Sequence, residues 1–188
     1  GPPRRQSTGT LMVDGVFSPD RSRFVYSIGR VFSNVWRVPI LGDRPATWAD
    51  AEQLTFDDAF VEQLDVSADG ERLIFSSDRG GNPDLWMLPS DGGEMQHVTT
   101  DLGPDWGPRW SPGGDVLAFS TTRSGNRDIW QMPVAGSLSS QLTRHPGVER
   151  FPSWSPDGRE IAFVSDRSGN DDVWATSVSG GGRRQMTD

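Results

Sequence analysis

The chain has no cysteine and only two histidines, and 34% of its 188 residues are apolar. Without cysteine, disulfides and thiolate metal sites are excluded, a composition compatible with an oxidising compartment. No segment approaches the roughly 18 consecutive apolar residues that a membrane-spanning helix needs, and there is no signal-peptide pattern. Positive charge is also short: 18 Lys and Arg stand against 26 Asp and Glu, a net charge of −8. An acidic surface does not steer a nucleic-acid backbone toward it, so nucleic acid is not an expected partner. Low apolar content alone points to disorder, but eight Trp and nine Phe oppose that reading. Gly and Pro together make up about a fifth of the chain, which suits many short strands joined by tight turns.

A period of 44 residues organises the sequence. Trp86, Trp130 and Trp174 keep it, as do Ser67, Ser111 and Ser155, then Phe75, Phe119 and Phe163, and Asn82, Asn126 and Asn170. Thr55, Thr99, Thr143 and Thr187 carry the same spacing through four copies. The first copy is looser. Phe17-Ser18-Pro19-Asp20 aligns with Trp154-Ser155-Pro156-Asp157, and Trp36 stands 50 residues before Trp86, with the extra residues placed in an elongated hairpin connection, Leu41 to Asp50.

The last copy shows the unit most plainly. Phe151 to Ser155 reads as a strand ending in the turn Ser155-Pro156-Asp157-Gly158, where glycine is free to take positive φ. Ile161 to Val164, Asp172 to Thr176 and Arg184 to Thr187 read as three more strands, separated by Asp166–Asn170 and Gly180–Gly182. Four antiparallel strands in a repeat of this length make a β-propeller blade. The chain is therefore expected to be all-β, a single propeller segment over residues 1–188 with blades at about 9–55, 56–99, 100–143 and 144–187. No stretch carries a helical period. The recurrent Trp and Phe are expected to fill the space between blades, the recurrent Asp and Asn to hold turns, and Arg79, Arg123 and Arg167 to pair with carboxylates or carbonyls.

The patterns Trp154-Ser155-Pro156-Asp157-Gly158, Ile161-Ala162-Phe163, Ser165-Asp166-Arg167-Ser168-Gly169-Asn170 and Gln185-Met186-Thr187 resemble the WD-repeat-like blade of TolB-type propellers. The resemblance covers nearly all of the chain from Phe17 onward. It implies a six-bladed ring in most members and a periplasmic or otherwise extracytoplasmic location. In multidomain bacterial proteins it implies a propeller that follows a winged-helix or kinase domain across a membrane segment. Four copies fall short of six, and Arg4-Arg5-Gln6-Ser7-Thr8 resembles Arg183-Arg184-Gln185-Met186-Thr187. The chain thus reads as cut twice at the same phase of the repeat, as part of a longer array would be. Blades contact only their neighbours, so open ends expose apolar faces. A closed four-bladed ring and a homodimer joining two open arcs are the alternatives.

Catalytic chemistry is hard to assemble from these residues. There is no Cys and no Gly-x-Ser-x-Gly elbow, and only His97 and His145 offer an imidazole. His97 aligns with Gln53, Gln141 and Gln185 on the outer strand and is expected to be exposed; His145 lies in a connection between copies and is a better candidate. The turn Asp166-x-x-Gly169-Asn170-x-Asp172 has calcium-ligand residue types but no bidentate glutamate, and its recurrence marks a fold device. No metal or cofactor is expected.

Function on a propeller resides in loops at one mouth of the channel, where the repeat is free to vary. The connections are Phe56 to Gln63, Leu102 to Gly107 and Arg144 to Phe151, and one aligned position in them holds Glu62, Trp106 and Arg150. Three different residues at one register position are not explained by the packing needs of the repeat. Asp57, Asp58, Asp105 and Glu149 add an acidic bias, Trp106 offers an aromatic anchor, and Arg109 and Arg127 also break the pattern of their aligned positions. The expected site is Glu62, Asp105, Trp106, His145, Glu149 and Arg150, on a non-catalytic module for a protein or peptide partner, without direct insertion into a membrane. The alternatives are the gating propeller of a prolyl-oligopeptidase-type hydrolase, which needs a downstream α/β-hydrolase domain, and the sensory tail of a membrane-anchored regulator or kinase.

Overall fold

A computed structural model of the chain describes residues 10–17, 24–30, 32–40, 44–136 and 138–188, the first two segments by their backbone. Three consecutive copies form four-stranded antiparallel meanders. The first is β5 (Val61–Val66), β6 (Arg72–Ser77), β7 (Asp84–Pro89) and β8 (Gln96–His97). The second is β9 (Asp105–Trp110), β10 (Val116–Thr121), β11 (Asp128–Pro133) and β12 (Ser140–Gln141). The third is β13 (Glu149–Trp154), β14 (Glu160–Ser165), β15 (Asp172–Ser177) and β16 (Arg184–Gln185). Ahead of them, β1 (Thr10–Phe17) pairs with β2 (Phe24–Arg30), and β3 (Trp36–Arg37) with β4 (Glu52–Gln53). The elongated connection expected in the first copy is thus the β3–β4 link, which carries a 3₁₀ turn at Trp48–Asp50. The likeness of Arg4–Thr8 to the last strand, and the turn at Ser18–Asp20, lie outside the described residues.

The repeated residues repeat because each makes the same bond. The hydroxyls of Thr55, Thr99, Thr143 and Thr187 accept the amides of Val35, Leu85, Ile129 and Val173, each at 2.9 Å. That bond closes the fourth strand of a copy onto the head of its third. Ser67, Ser111 and Ser155 accept the amides of Arg72, Val116 and Glu160 at 2.9 to 3.0 Å, closing the first hairpin. The glycines Gly70, Gly114 and Gly158 of those hairpins have φ of 75°, 73° and 69°, a region where a side chain is strained.

Sheet packs on sheet through apolar layers shared by two copies. Ile74, Leu85 and Met87 meet Trp110, Leu117, Phe119 and Met132 in one layer. Val35 and Leu54 meet Leu73, Phe75 and Leu88 in the one before it, and Ala118, Ile129 and Leu142 meet Ile161 and Phe163 in the one after. The second strands β6 and β10 are buried on both faces because each sits between two such layers, whereas β14 borders one layer and alternates between buried and half-buried residues. The three half-buried Trp86, Trp130 and Trp174 pack at the margins of these layers, as the repeat predicts. The inner-edge strands come together, β5 packing against β9 and β9 against β13.

Candidate functional site

Glu62, Trp106 and Arg150 occupy equivalent places, but not in the connections. Each is the second residue of an inner-edge strand, β5, β9 or β13. Immediately after each, the pairing with the second strand slips at a bulge, between Glu62 and Asp65, between Trp106 and Arg109, and between Arg150 and Ser153. The residue that opens each bulge is left-handed: Gln63 at φ 46°, Gly107 at 59° and Phe151 at 57°. Glutamine and phenylalanine pay a steric cost there, and such outliers gather where a chain must re-aim its side chains.

Each of these inner residues meets the residue that stands 21 positions later, just before the third strand of its own copy. Glu62 and Pro83 line one cavity of about 170 Å³, together with Trp106 from the next sheet. Trp106 carries the Arg127 guanidinium over its ring, 4.3 Å from Cζ to the centroid. Arg150 forms an ion pair with Asp171. The same two register positions thus hold an acid with a proline, an aromatic with a cation, and a cation with an acid.

Arg127 ties the three copies together. Burial, and next the like charge of Arg150, lower its pKa from the ordinary arginine value, while the charge of Glu62 opposes them. Its Nε donates to Ser120 Oγ at 3.1 Å, and its carbonyl accepts the Glu149 amide at 2.8 Å. The sequence marks Arg127 only as a departure from its aligned positions; its place beside Trp106 follows from the β9–β10–β11 pairing.

The remaining expected residues do not join this group. Asp105 and Glu149 are the first residues of β9 and β13 and have no solvent exposure, so neither is presented to a partner. Asp105 instead receives Arg123 at 2.9 and 2.8 Å, and Glu149 pairs with Arg167. Burial dominates the Asp105 carboxyl and raises its pKa despite hydrogen bonds and the arginine charge. Arg79, Arg123 and Arg167 each lie between the recurrent Phe and Trp of their copy, with Cζ 4.7 to 5.5 Å from the ring centroids. In the copy where Val61 replaces the buried acid, Arg79 reaches Asp57 at 3.2 Å.

His145 holds its own turn: Nδ1 accepts the Gly147 amide at 3.0 Å, and its carbonyl accepts from Asn126. His97, expected to be exposed, lies flat on Trp86 with centroids 4.0 Å apart, and its Nε2 is 3.0 Å from Asp84. Gln141 and Gln185 reach Asp128 and Asp172 in the same way. The carboxylate of Asp172, in the turn with calcium-ligand residue types, is taken by Ser168, Gln185 and Thr187. Among the described residues no three His, Asp or Glu gather as a cation cage. Arg109 also works between sheets, donating to the Leu64 carbonyl at 3.2 Å while its own carbonyl accepts the Trp154 indole N–H.

Residues 102–188 match the model of the TolB beta propeller domain. No curated protein matches the chain. Among solved structures, a protein assigned as TolB from Agrobacterium tumefaciens is 27% identical with a TM-score of 0.73, over 96% of this chain and 63% of that one. TolB from Acinetobacter baumannii is 21% identical with a TM-score of 0.68, over 95% of this chain and 43% of that one. The chain thus spans less than two thirds of the length of either. A prolyl endopeptidase shares the fold, with a TM-score of 0.57 at 16% identity over 73% of this chain and 24% of that one. No helix among the described residues is long and apolar enough to cross a membrane.

Proposed function

We propose that this chain, a TolB-like β-propeller, is a non-catalytic binding module that takes a protein or peptide segment on the inner-edge surface around Glu62, Trp106, Arg127 and Arg150. The observation that supports the reading is the convergence of these side chains beside three bulges, two of them strained at Gln63 and Phe151. The central packing position keeps one residue type, Phe75, Phe119 and Phe163, whereas these positions hold acid, aromatic and base. A surface built from an aromatic anchor flanked by arginines is what protein interfaces favour. Neither histidine stands in a nucleophile–base arrangement: one is stacked on a tryptophan and the other closes its own turn. The likeness to a prolyl endopeptidase is a likeness of fold and does not move this reading. A six-bladed ring and an extracytoplasmic setting follow the TolB resemblance and belong to the same proposal.

The test is selection of peptides from a displayed random library on the immobilised chain, followed by binding to Glu62→Ala/Trp106→Ala/Arg150→Ala. The triple variant is expected to lose the selected peptides while its thermal unfolding stays near that of the parent. Undiminished binding to a folded triple variant overturns the placement of the site.

A further inference from the structure

We infer that the Trp106–Arg127 pair is a carboxylate-recognition element, which receives an acidic side chain or a chain terminus of the bound peptide. The inference rests on the binding reading above and adds the chemistry of what is bound.

Arg127 is held on three sides. Its backbone carbonyl accepts the Glu149 amide, its Nε donates to Ser120 Oγ, and its Cζ stands over the Trp106 ring. Ser120 Oγ in turn donates to the Trp106 carbonyl at 3.3 Å, so arginine, serine and tryptophan form one braced unit across β9, β10 and the start of β11. Both terminal nitrogens are left over. They take no hydrogen bond or ion pair among the described residues, and they are not among the buried polar atoms that lack partners. Arg150 of the same surface contrasts with it by holding a carboxylate, as the largely buried Arg123 and Arg167 do within their own copies. Among the described residues, an arginine held at Nε and over an indole thus keeps its terminal nitrogens apart from the acids of its own chain.

A guanidinium fork with two parallel N–H groups matches the two oxygens of a carboxylate, and the pinned geometry lowers the ordering cost of binding. Glu62 also selects the ligand. Its carboxylate has no ion-pair partner among the described residues and lines the cavity beside Trp106, so a dianionic phosphate meets more repulsion than a planar monoanion. The face of Trp106 away from the arginine then offers a wall for an apolar group next to the carboxylate.

The test uses the ¹⁵N-labelled chain, with the Trp106 indole resonance assigned through Trp106→Phe. Four probes are titrated: N-acetyl-phenylalanine, N-acetyl-phenylalaninamide, N-acetyl-glutamic acid α-amide and inorganic phosphate. At least one carboxylate probe is expected to bind about tenfold or more tighter than the neutral amide, the advantage of a charge-assisted bidentate contact. Strength in the first probe assigns a chain terminus and strength in the third an acidic side chain; either supports the inference. Arg127→Gln is expected to bring acid and amide to parity, and Arg127→Lys to keep part of the preference. Near-ultraviolet circular dichroism checks that both variants fold. Acid and amide binding alike at Trp106 overturns the carboxylate inference and leaves peptide binding standing. A preference that survives in Arg127→Gln, or phosphate binding tighter than both carboxylates, also overturns it. Silence of the Trp106 resonance toward every probe, with library-selected peptides indifferent to Trp106→Ala, overturns both readings.

Discussion

Arg123 grips both oxygens of Asp105, at 2.9 and 2.8 Å, around a carboxylate that has no solvent exposure. Removing Asp105 leaves the largely buried Arg123 with only the half-exposed Asp101, at 2.8 Å, as a charge partner. Asp105→Ala is therefore expected to cost about 3 kcal/mol in urea or thermal unfolding, the low end for breaking a buried pair. Glu149→Ala, which strands Arg167, belongs to the same class. Asp57→Ala is expected to cost less than Asp105→Ala: the Asp57 side chain is 45% exposed, and the largely buried Arg79 that it leaves keeps the charge of Asp78 nearby. Equal losses for Asp57→Ala and Asp105→Ala would show that burial does not grade these pairs.

The fold is legible in the sequence because each conserved register position performs one local bond, such as threonine hydroxyl to third-strand amide. The site is legible only in part, and Asp105 shows why. An acid that follows a Gly- and Pro-containing connection reads as a solvated loop residue, yet it heads a buried strand. The arginine that closes over it comes 18 residues later, as Arg167 does after Glu149. Glu62, Trp106 and Arg150 stand out by varying where the repeat does not. Their partners Pro83, Arg127 and Asp171 come into view only once the inner strand pairs with the second and the second with the third. His97 differs from Gln141 and Gln185 in type but keeps their hydrogen bond, so variation alone does not mark a site.

The recurrent threonines differ in burial and so in worth. Thr143 is fully buried and provides the acceptor for the Ile129 amide. Thr143→Val keeps the shape and orphans that amide, at a cost of about 1 to 3 kcal/mol. Thr187 makes the same bond to Val173 in an exposed setting, where water replaces the hydroxyl. Thr187→Val is expected to fall well below Thr143→Val in the same unfolding experiment.

Acid sensitivity follows from the hairpin turns. The Asp157 carboxylate accepts the Ser155 hydroxyl at 2.6 Å and the Arg159 amide at 3.1 Å, and these bonds hold its pKa below the ordinary value. Asp69 is lowered in the same way, first by Ser67 and then by the Glu71 amide. A lowered folded-state value gives stability that is present above the ordinary carboxylate pKa and lost as pH falls through the lowered one. The parent is therefore expected to lose stability more steeply than Asp69→Asn/Asp157→Asn between about pH 5 and pH 2. Asp84 and Asp105 act in the opposite sense. Burial raises both, so the folded chain takes up their protons first, and their contribution grows as pH falls from the raised values. Parallel pH profiles for parent and double variant would remove the turn carboxylates from the acid response.

Strain at the bulges gives the sharpest link between stability and binding. Gly107 sits at φ 59°, and a Cβ added there would stand 3.3 Å from Gln63 Oε1 and 3.8 Å from Pro152 Cδ. Gly107→Ala is therefore expected to destabilise by about 1 to 2 kcal/mol, the penalty of a left-handed side chain. Phe151 holds the equivalent place at φ 57° and is 49% exposed as a residue, so the chain bears that penalty with little burial in return. Phe151→Gly relieves it, less the backbone entropy of glycine, for a net gain of up to about 1 kcal/mol. The strained ring also lies within 5.7 Å of the Arg150 guanidinium and so belongs to the surface assigned to the partner. The same variant is then expected to bind library-selected peptides more weakly while melting at a higher temperature. A variant that gains stability and keeps full binding would separate the strain at Phe151 from the site.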